Sequence, residues 1–187
     1  MFDVIQIFFL SITYIAIVIT SYVNIKKKLI AIPYCAILMN FAWEINALIE
    51  SEGFWGHIVW ICLDSLIVIH AIVTMQGIGE KILFIFAALI LTTFLFVVFN
   101  FLPMGMLISV FLIDLMMAIL FALERKQLLE NGRLFIASTK LIGDTAAAIY
   151  YAPYSFAVLV VGIAVFVINI KYLLDCARDK IMNQEKQ

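Results

Sequence analysis

Leu38-Met39-Asn40-Phe41-Ala42-Trp43-Glu44-Ile45-Asn46-Ala47-Leu48-Ile49 has the apolar character of a membrane-spanning helix, with a carboxylate in its middle. A charged side chain at the centre of a bilayer costs about 2.5–3.5 kcal/mol on insertion scales, so it faces a cavity or a partner rather than lipid. Asp64, Asp114 and Asp144 repeat the pattern in three later apolar segments. Acids placed this way imply a polar or chemical task inside a membrane.

Composition points to the same setting. Of the 187 residues, 66% are hydrophobic and 13% charged, and the mean hydropathy is +1.14. A water-soluble domain turns polar surface outward, and this chain has too little of it. The net charge of −1 gives no electrostatic case for nucleic acid. Cys35, Cys62 and Cys176 are scattered without a CxxC or Cys/His ligand spacing, so neither a disulfide framework nor a metal site is expected. Met1-Phe2-Asp3-Val4 has no basic run, so the first apolar segment reads as a retained helix rather than a cleaved leader.

A spanning helix needs about 20 mostly apolar residues. Cutting the chain at charge and turn clusters predicts an all-α, polytopic bundle of seven transmembrane helices. They fall at residues 3–24, 29–49, 58–76, 82–100, 104–123, 134–152 and 154–174, within a membrane domain over 1–174, before a polar cytoplasmic tail over 175–187. Lys26, Lys27, Lys28, Lys81, Arg125, Lys126, Arg133, Arg178, Lys180 and Lys186 fall in the loops after spans one, three, five and seven. The opposite loops carry only Asp3, Glu50, Glu52 and His57. The positive-inside rule then predicts the N-terminus outside and the C-terminus in the cytoplasm. Trp55, Tyr151 and Tyr154 at the outer ends fit an interfacial aromatic belt. No strong internal repeat is present, which speaks against an inverted-repeat transporter.

At roughly 1.5 Å per residue, Glu44, Asp64 and Asp144 reach similar depths in the outer half, and Asp114 lies near mid-span. The three are expected to line one pocket. Asn40, Trp43 and Glu44 share a helix face at i, i+3 and i+4, and Trp60 with Asp64 repeats the i, i+4 spacing one span later. Lys140 and Asp144 are also i, i+4, and a mutual ion pair is the simplest reading. Small residues at Gly143, Ala146, Ala147 and Ala148 allow a close helix approach. Asp114 and the Lys140–Asp144 pair read as structural hydrogen-bonding groups, Trp43 and Trp60 taken singly as packing, and His70 as a satisfied interior histidine. Glu44 and Asp64 read as functional, because neither has a basic partner nearby in sequence.

Asn40–Ile45, Trp60–Asp64 and Lys140–Asp144, in a small seven-span protein, resemble the integral membrane terpene cyclases of the pyripyropene and indole-diterpene pathways. The resemblance runs from the second span onward and is carried by these short motifs, the Asn-x-x-Trp-Glu element being the most specific. It implies a multi-pass enzyme, here of a bacterial cell membrane, that cyclises a polyprenyl chain or its terminal epoxide without metal or cofactor. The family's catalytic glutamate falls on Glu44. Its second acid, in an Asp-x-x-Tyr setting in the last span, corresponds to Asn169-Ile170-Lys171-Tyr172, so an amide stands where the family has an acid.

The residues fit that chemistry. A carboxylic acid that keeps its proton in a dry pocket, here Glu44 or Asp64, delivers it to an alkene or an epoxide oxygen. The faces of Phe41, Trp43, Trp60 and Tyr150 would stabilise the carbocation and exclude water. Asn40, Lys140, Asp144 and Asn169 complete the candidate substrate contacts, and the substrate would be a lipid-like isoprenoid drawn from the membrane. No DDxxD or DxDD motif supports ionisation of a diphosphate by metal. Two other classes use the same acids: a small proton-coupled transporter, which needs a path to both faces, and a non-catalytic membrane subunit, in which Glu44 serves assembly alone.

Overall fold

The computed structural model describes residues 2–24, 31–50, 55–102, 104–129 and 132–184, with backbone only for 2, 3, 55, 56, 127 and 184. The expectations on Lys26–Lys28, Glu52, Lys186 and the side chains of Asp3 and Trp55 lie outside it. The described chain is all-helical, with 91% helix and no strand. Its α-helices are α1 (Phe2–Val23), α2 (Tyr34–Glu50), α3 (Trp55–Thr74), α4 (Ile78–Phe101), α5 (Gly105–Leu123), α6 (Arg133–Tyr151) and α7 (Phe156–Gln184). Short 3-10 turns at Arg125–Gln127 and Ala152–Tyr154 join α5 to α6 and α6 to α7.

Helix ends follow local chemistry. The second helix starts at Tyr34 rather than 29, because Pro33 disfavours helical backbone in the residue before it. Its carbonyl then accepts from the Ile37 N–H at 3.0 Å, opening the helix. The fourth starts at Ile78, where the Glu80 carboxylate accepts from the Gly77 N–H at 3.3 Å. The seventh runs past residue 174 to Gln184. Arg125 pairs with Asp175 at 2.6 Å and Asp179 at 2.8 Å, so the polar end of α7 is tied to the α5–α6 connection.

Five helices, α1, α3, α4, α5 and α7, are long and apolar enough to cross a membrane. The other two are the polar ones, and they are the interior. In α2, Asn40, Trp43, Glu44 and Asn46 are buried; in α6, Thr139, Lys140, Gly143 and Asp144. By contrast only Phe84 and Leu95 are buried in the 24 residues of α4, whose Ile82, Leu83, Phe86 and Leu89 face outward. An apolar exterior around a polar interior is the arrangement hydrocarbon demands and water forbids.

Consecutive helices alternate in direction. Thr13 meets Thr139 and Leu10 meets Gly143 across α1 and α6, so these two run antiparallel. Tyr34 meets Thr74 while Glu44 meets His57, so α2 and α3 do as well. The packed neighbours form a ring, α1–α3–α2–α5–α7–α6 and back to α1, with α4 lying outside against α2 and α5. Asn46 fixes α4 there, its side-chain amide donating to the Thr92 carbonyl at 3.1 Å.

The α4–α5 turn is the tightest point. Met104 takes a left-handed backbone (φ 56°), and a Cβ on Gly105 would overlap the carbonyl oxygen of Val98. We expect Gly105→Ala to lower stability by about 1–3 kcal/mol. Gly79→Ala, where a Cβ meets nothing within 4 Å, should not. Thermal unfolding followed by tryptophan fluorescence in detergent compares the two; equal melting temperatures would contradict this account of the turn.

Candidate functional site

The ring encloses a cavity of about 80 Å³ between α1, α2, α3, α5 and α6. Asn40, Trp43, Glu44, Trp60, Lys140 and Asp144 all line it, as do Tyr14 and Asp114. The i, i+4 spacing of Asn40 with Glu44 and of Lys140 with Asp144 therefore aims two helices at one point. Asp114 stands on the wall of the same cavity, beside residues the sequence reading had separated from it.

Several polar groups on the wall are backed by others. Asn40 donates its amide N–H to Asp64 at 2.6 Å, so Asp64 meets the cavity through Asn40 rather than lining it. Lys140 donates to Asp144 at 2.5 Å, the expected intrahelical pair. Asn169 on α7 donates to the same Asp144 oxygen at 2.8 Å from behind. An amide suits that place: it donates to a carboxylate already paired with a lysine, where a second ionised acid would repel it.

Glu44 has a partner that its sequence neighbourhood does not reveal. The Nδ1 of His57 lies 2.9 Å from Oε2 of Glu44, with both side chains buried. The sequence reading put His57 in a loop; instead the third helix starts at Trp55, which places His57 in its first turn. His57 is clasped by two indoles, with ring centroids 5.7 Å from Trp43 and 5.6 Å from Trp60. The signal was the i, i+3 spacing of His57 and Trp60 at the depth of Glu44.

Both tryptophans are also anchored by their polar ends. Trp43 Nε1 donates to Ser109 on α5, and Trp60 Nε1 to Ser11 on α1, each at 3.1 Å. Locked indoles present fixed faces, which a merely packed ring need not do. Phe41 lines neither this cavity nor its neighbour. Tyr150 belongs to that neighbour, a wider cavity of about 560 Å³ lined by His57, Met104, Met106, Tyr150, Tyr151 and Tyr154.

The two cavities adjoin, sharing Gln6, Trp43, Trp60, Val110 and Tyr151. The wide one opens at the end of the bundle that carries the α4–α5 and α6–α7 turns, where Tyr154 is exposed. Towards the other end the inner cavity stops at Ile17, Ile32, Met117 and Phe121. These belong to the apolar core that continues through Leu128, Leu129, Ile136 and Tyr172. Among the described residues no group of three or more His, Cys, Asp or Glu side chains is arranged to hold a metal ion.

No protein family, curated protein or solved structure matches this chain.

Removing one partner of a buried ion pair costs about 3–5 kcal/mol, whereas replacing both with apolar groups is often neutral. We therefore expect Lys140→Met to destabilise the bundle strongly and Lys140→Met/Asp144→Leu to recover much of the loss. Melting temperatures of the three proteins in one detergent test this. A double variant no more stable than the single would mean that Lys140 does not serve to neutralise Asp144.

Proposed function

We propose that the chain is a membrane-embedded terpene cyclase, in which Glu44 donates the proton that starts cyclisation of a polyprenyl chain or its terminal epoxide. The observation that carries this reading is the convergence of Glu44 with two anchored indoles on a small cavity that adjoins a wider aromatic one. An enclosed acid delivers a proton without losing it to bulk water. The faces of Trp43 and Trp60 attract the carbocation that results, by about 2 kcal/mol or more each when desolvated.

Size divides the labour between the cavities. The inner one, at about 80 Å³, takes the reacting end of the substrate, and the outer one, at about 560 Å³, takes the body of the chain. Ligand sites usually measure about 300–1,000 Å³, which the outer cavity meets and the inner one does not. Asn40, held by Asp64, and Lys140 with Asp144, held by Asn169, form the polar wall that orients an epoxide oxygen or a head group. The apolar plug at Ile17, Met117 and Phe121 favours this reading over transport, which needs a path to both faces.

The reading includes a topology. All seven helices cross the membrane, α2 and α6 being carried across inside a jacket of apolar neighbours, with the N-terminus outside and the C-terminus cytoplasmic. Support comes from Lys81, Arg125, Lys126, Arg133, Arg178 and Lys180 sitting at the end opposite the wide cavity. Single cysteines placed at Glu50 and at Arg178, in a cysteine-free background, test the orientation. An impermeant maleimide applied to intact cells should label the first and not the second; the reverse pattern would invert the topology.

The activity is tested by supplying membranes with farnesyl and geranylgeranyl substrates, with and without a terminal epoxide, and searching for cyclised isomers by mass spectrometry. Wild type should give product, and Glu44→Gln at equal expression should lose about 100-fold or more, the usual weight of a general acid. Product undiminished in Glu44→Gln would remove Glu44 from the role. No product from any substrate would shift the balance to transport or assembly.

A further inference from the structure

Glu44 lines the inner cavity and not the outer one, whereas His57 lines the outer cavity and not the inner one. Their side chains are joined by the 2.9 Å contact between Nδ1 and Oε2. The pair therefore bridges the partition that Trp43 and Trp60 build between the two spaces. An acid that gives up its proton at each turnover must regain one. The inner-cavity side of Glu44 is lined by Tyr14, Asn40, Trp43 and Trp60, where the substrate's reacting end would sit, and its bond to the imidazole is a link to the outer cavity that stays in place when the inner one is filled.

We infer that His57 is a proton-relay residue: it takes a proton in the outer cavity and passes it to Glu44 across the indole partition. The inference rests on Glu44 being the donor acid of the proposed cyclase. Glu44 loses its proton to the substrate, as the π electrons of the alkene or a lone pair of the epoxide oxygen form the new bond to hydrogen. The carboxylate left behind receives the Nδ1 proton of the imidazolium, giving a neutral acid and a neutral imidazole. The imidazole, now carrying its proton on Nε2, turns its bare Nδ1 to the outer cavity, takes a proton there from water, and turns back to Glu44 as the imidazolium. The proton lost when the final carbocation closes to an alkene returns to water, so no oxidant, reductant or co-reactant is consumed.

The surroundings suit a group that alternates between charged and neutral. An imidazolium within about 6 Å of two indole rings is within reach of their quadrupoles, and imidazole is the side chain whose ordinary titration, at roughly pH 6.5, lies nearest neutrality. In the inner cavity the polar and titratable groups around Glu44 include Gln6 and Tyr14 on α1, Asp114 on α5, and Lys140 with Asp144 on α6. Around His57 they are the carboxylate of Glu44 on α2, Gln6 on α1, and on the α6 side the phenols of Tyr150 and Tyr151, joined by Tyr154 from the following turn. From α5 and the turn before it the approach is made by Met104, Met106, Leu107 and Val110, which carry no charge. On its own helix, Asp64 is the nearest other titratable group, two turns further in and bonded to Asn40.

The test separates the relay from the cyclase. Full-length protein in vesicles is transferred to ²H₂O, and the protonated carboxyl stretch of Glu44, identified by its loss in Glu44→Gln, is followed by infrared spectroscopy. In wild type the band should exchange quickly. In His57→Gln, which can still hydrogen-bond but cannot relay at neutral pH, exchange should slow by about 100-fold or more, the weight ascribed to a positioned acid–base group. In His57→Ala, free imidazole admitted through the outer cavity should restore the rate, a rescue that a packing role cannot explain. Exchange unchanged in both variants, or no Glu44 carboxyl band between pH 5 and 8, overturns the relay. Exchange that depends on His57 in a protein forming no cyclised product leaves the relay standing and sinks the cyclase reading alone.

Discussion

A carboxylate cannot be left alone in an apolar interior, and that constraint organises the bundle. Asp144 is neutralised by Lys140 on its own helix and tied by Asn169 to α7. Glu44 is held by His57, and Asp64 by Asn40, both bonds crossing from α2 to α3. Moving either α2 or α6 outward would present these groups to hydrocarbon, at several kcal/mol for each unsatisfied group. The two helices that are not long and apolar enough to span a membrane are therefore central, and α4, which carries the stretch of highest mean hydropathy, lies outside the ring.

The same constraint shapes the chemistry. In the proposed reaction, the fixed pairs Asn40–Asp64 and Lys140–Asp144 would meet charge that develops in the cavity without reorganising. The tryptophans are held as well. Their Nε1 atoms are spent on Ser109 and Ser11, which fixes the rings, while their faces remain available to whatever enters. In the proposed cyclase, the two-cavity plan would give a lipid substrate somewhere to rest its chain while only its reacting end meets the acid.

Much of this architecture is legible in the sequence. Hydrophobic runs of spanning length and their breaks at charges and glycines place all seven helices, because in an apolar chain such breaks are few. The boundaries that moved did so for local reasons: Pro33 delays α2, and ion pairs to Arg125 carry α7 past its apolar part. The convergence of Asn40, Trp43, Glu44, Trp60, Lys140 and Asp144 follows from equal depth and helical spacing. What helical spacing alone does not convey is contact between helices. The His57–Glu44 bond depends on where α3 begins, and the Asn169–Asp144 bond on which face α7 turns to α6. Whether Asp64 or Asn40 reaches the cavity depends on rotation about the helix axis, which an i, i+4 pattern narrows without fixing. Phe41 shares the right stretch of α2 but lines neither cavity.

The central claim is that a proton from the protein, and not ionisation of a leaving group, begins the reaction. Running the cyclisation in ²H₂O and locating the label by mass spectrometry and NMR tests it directly. The account predicts that cyclised product carries one deuterium, at the carbon or epoxide-derived oxygen first protonated, with an oxygen-bound label read before back-exchange, and that Glu44→Gln yields no labelled product. Cyclised product formed at the normal rate with no deuterium, read under the same conditions, would contradict it.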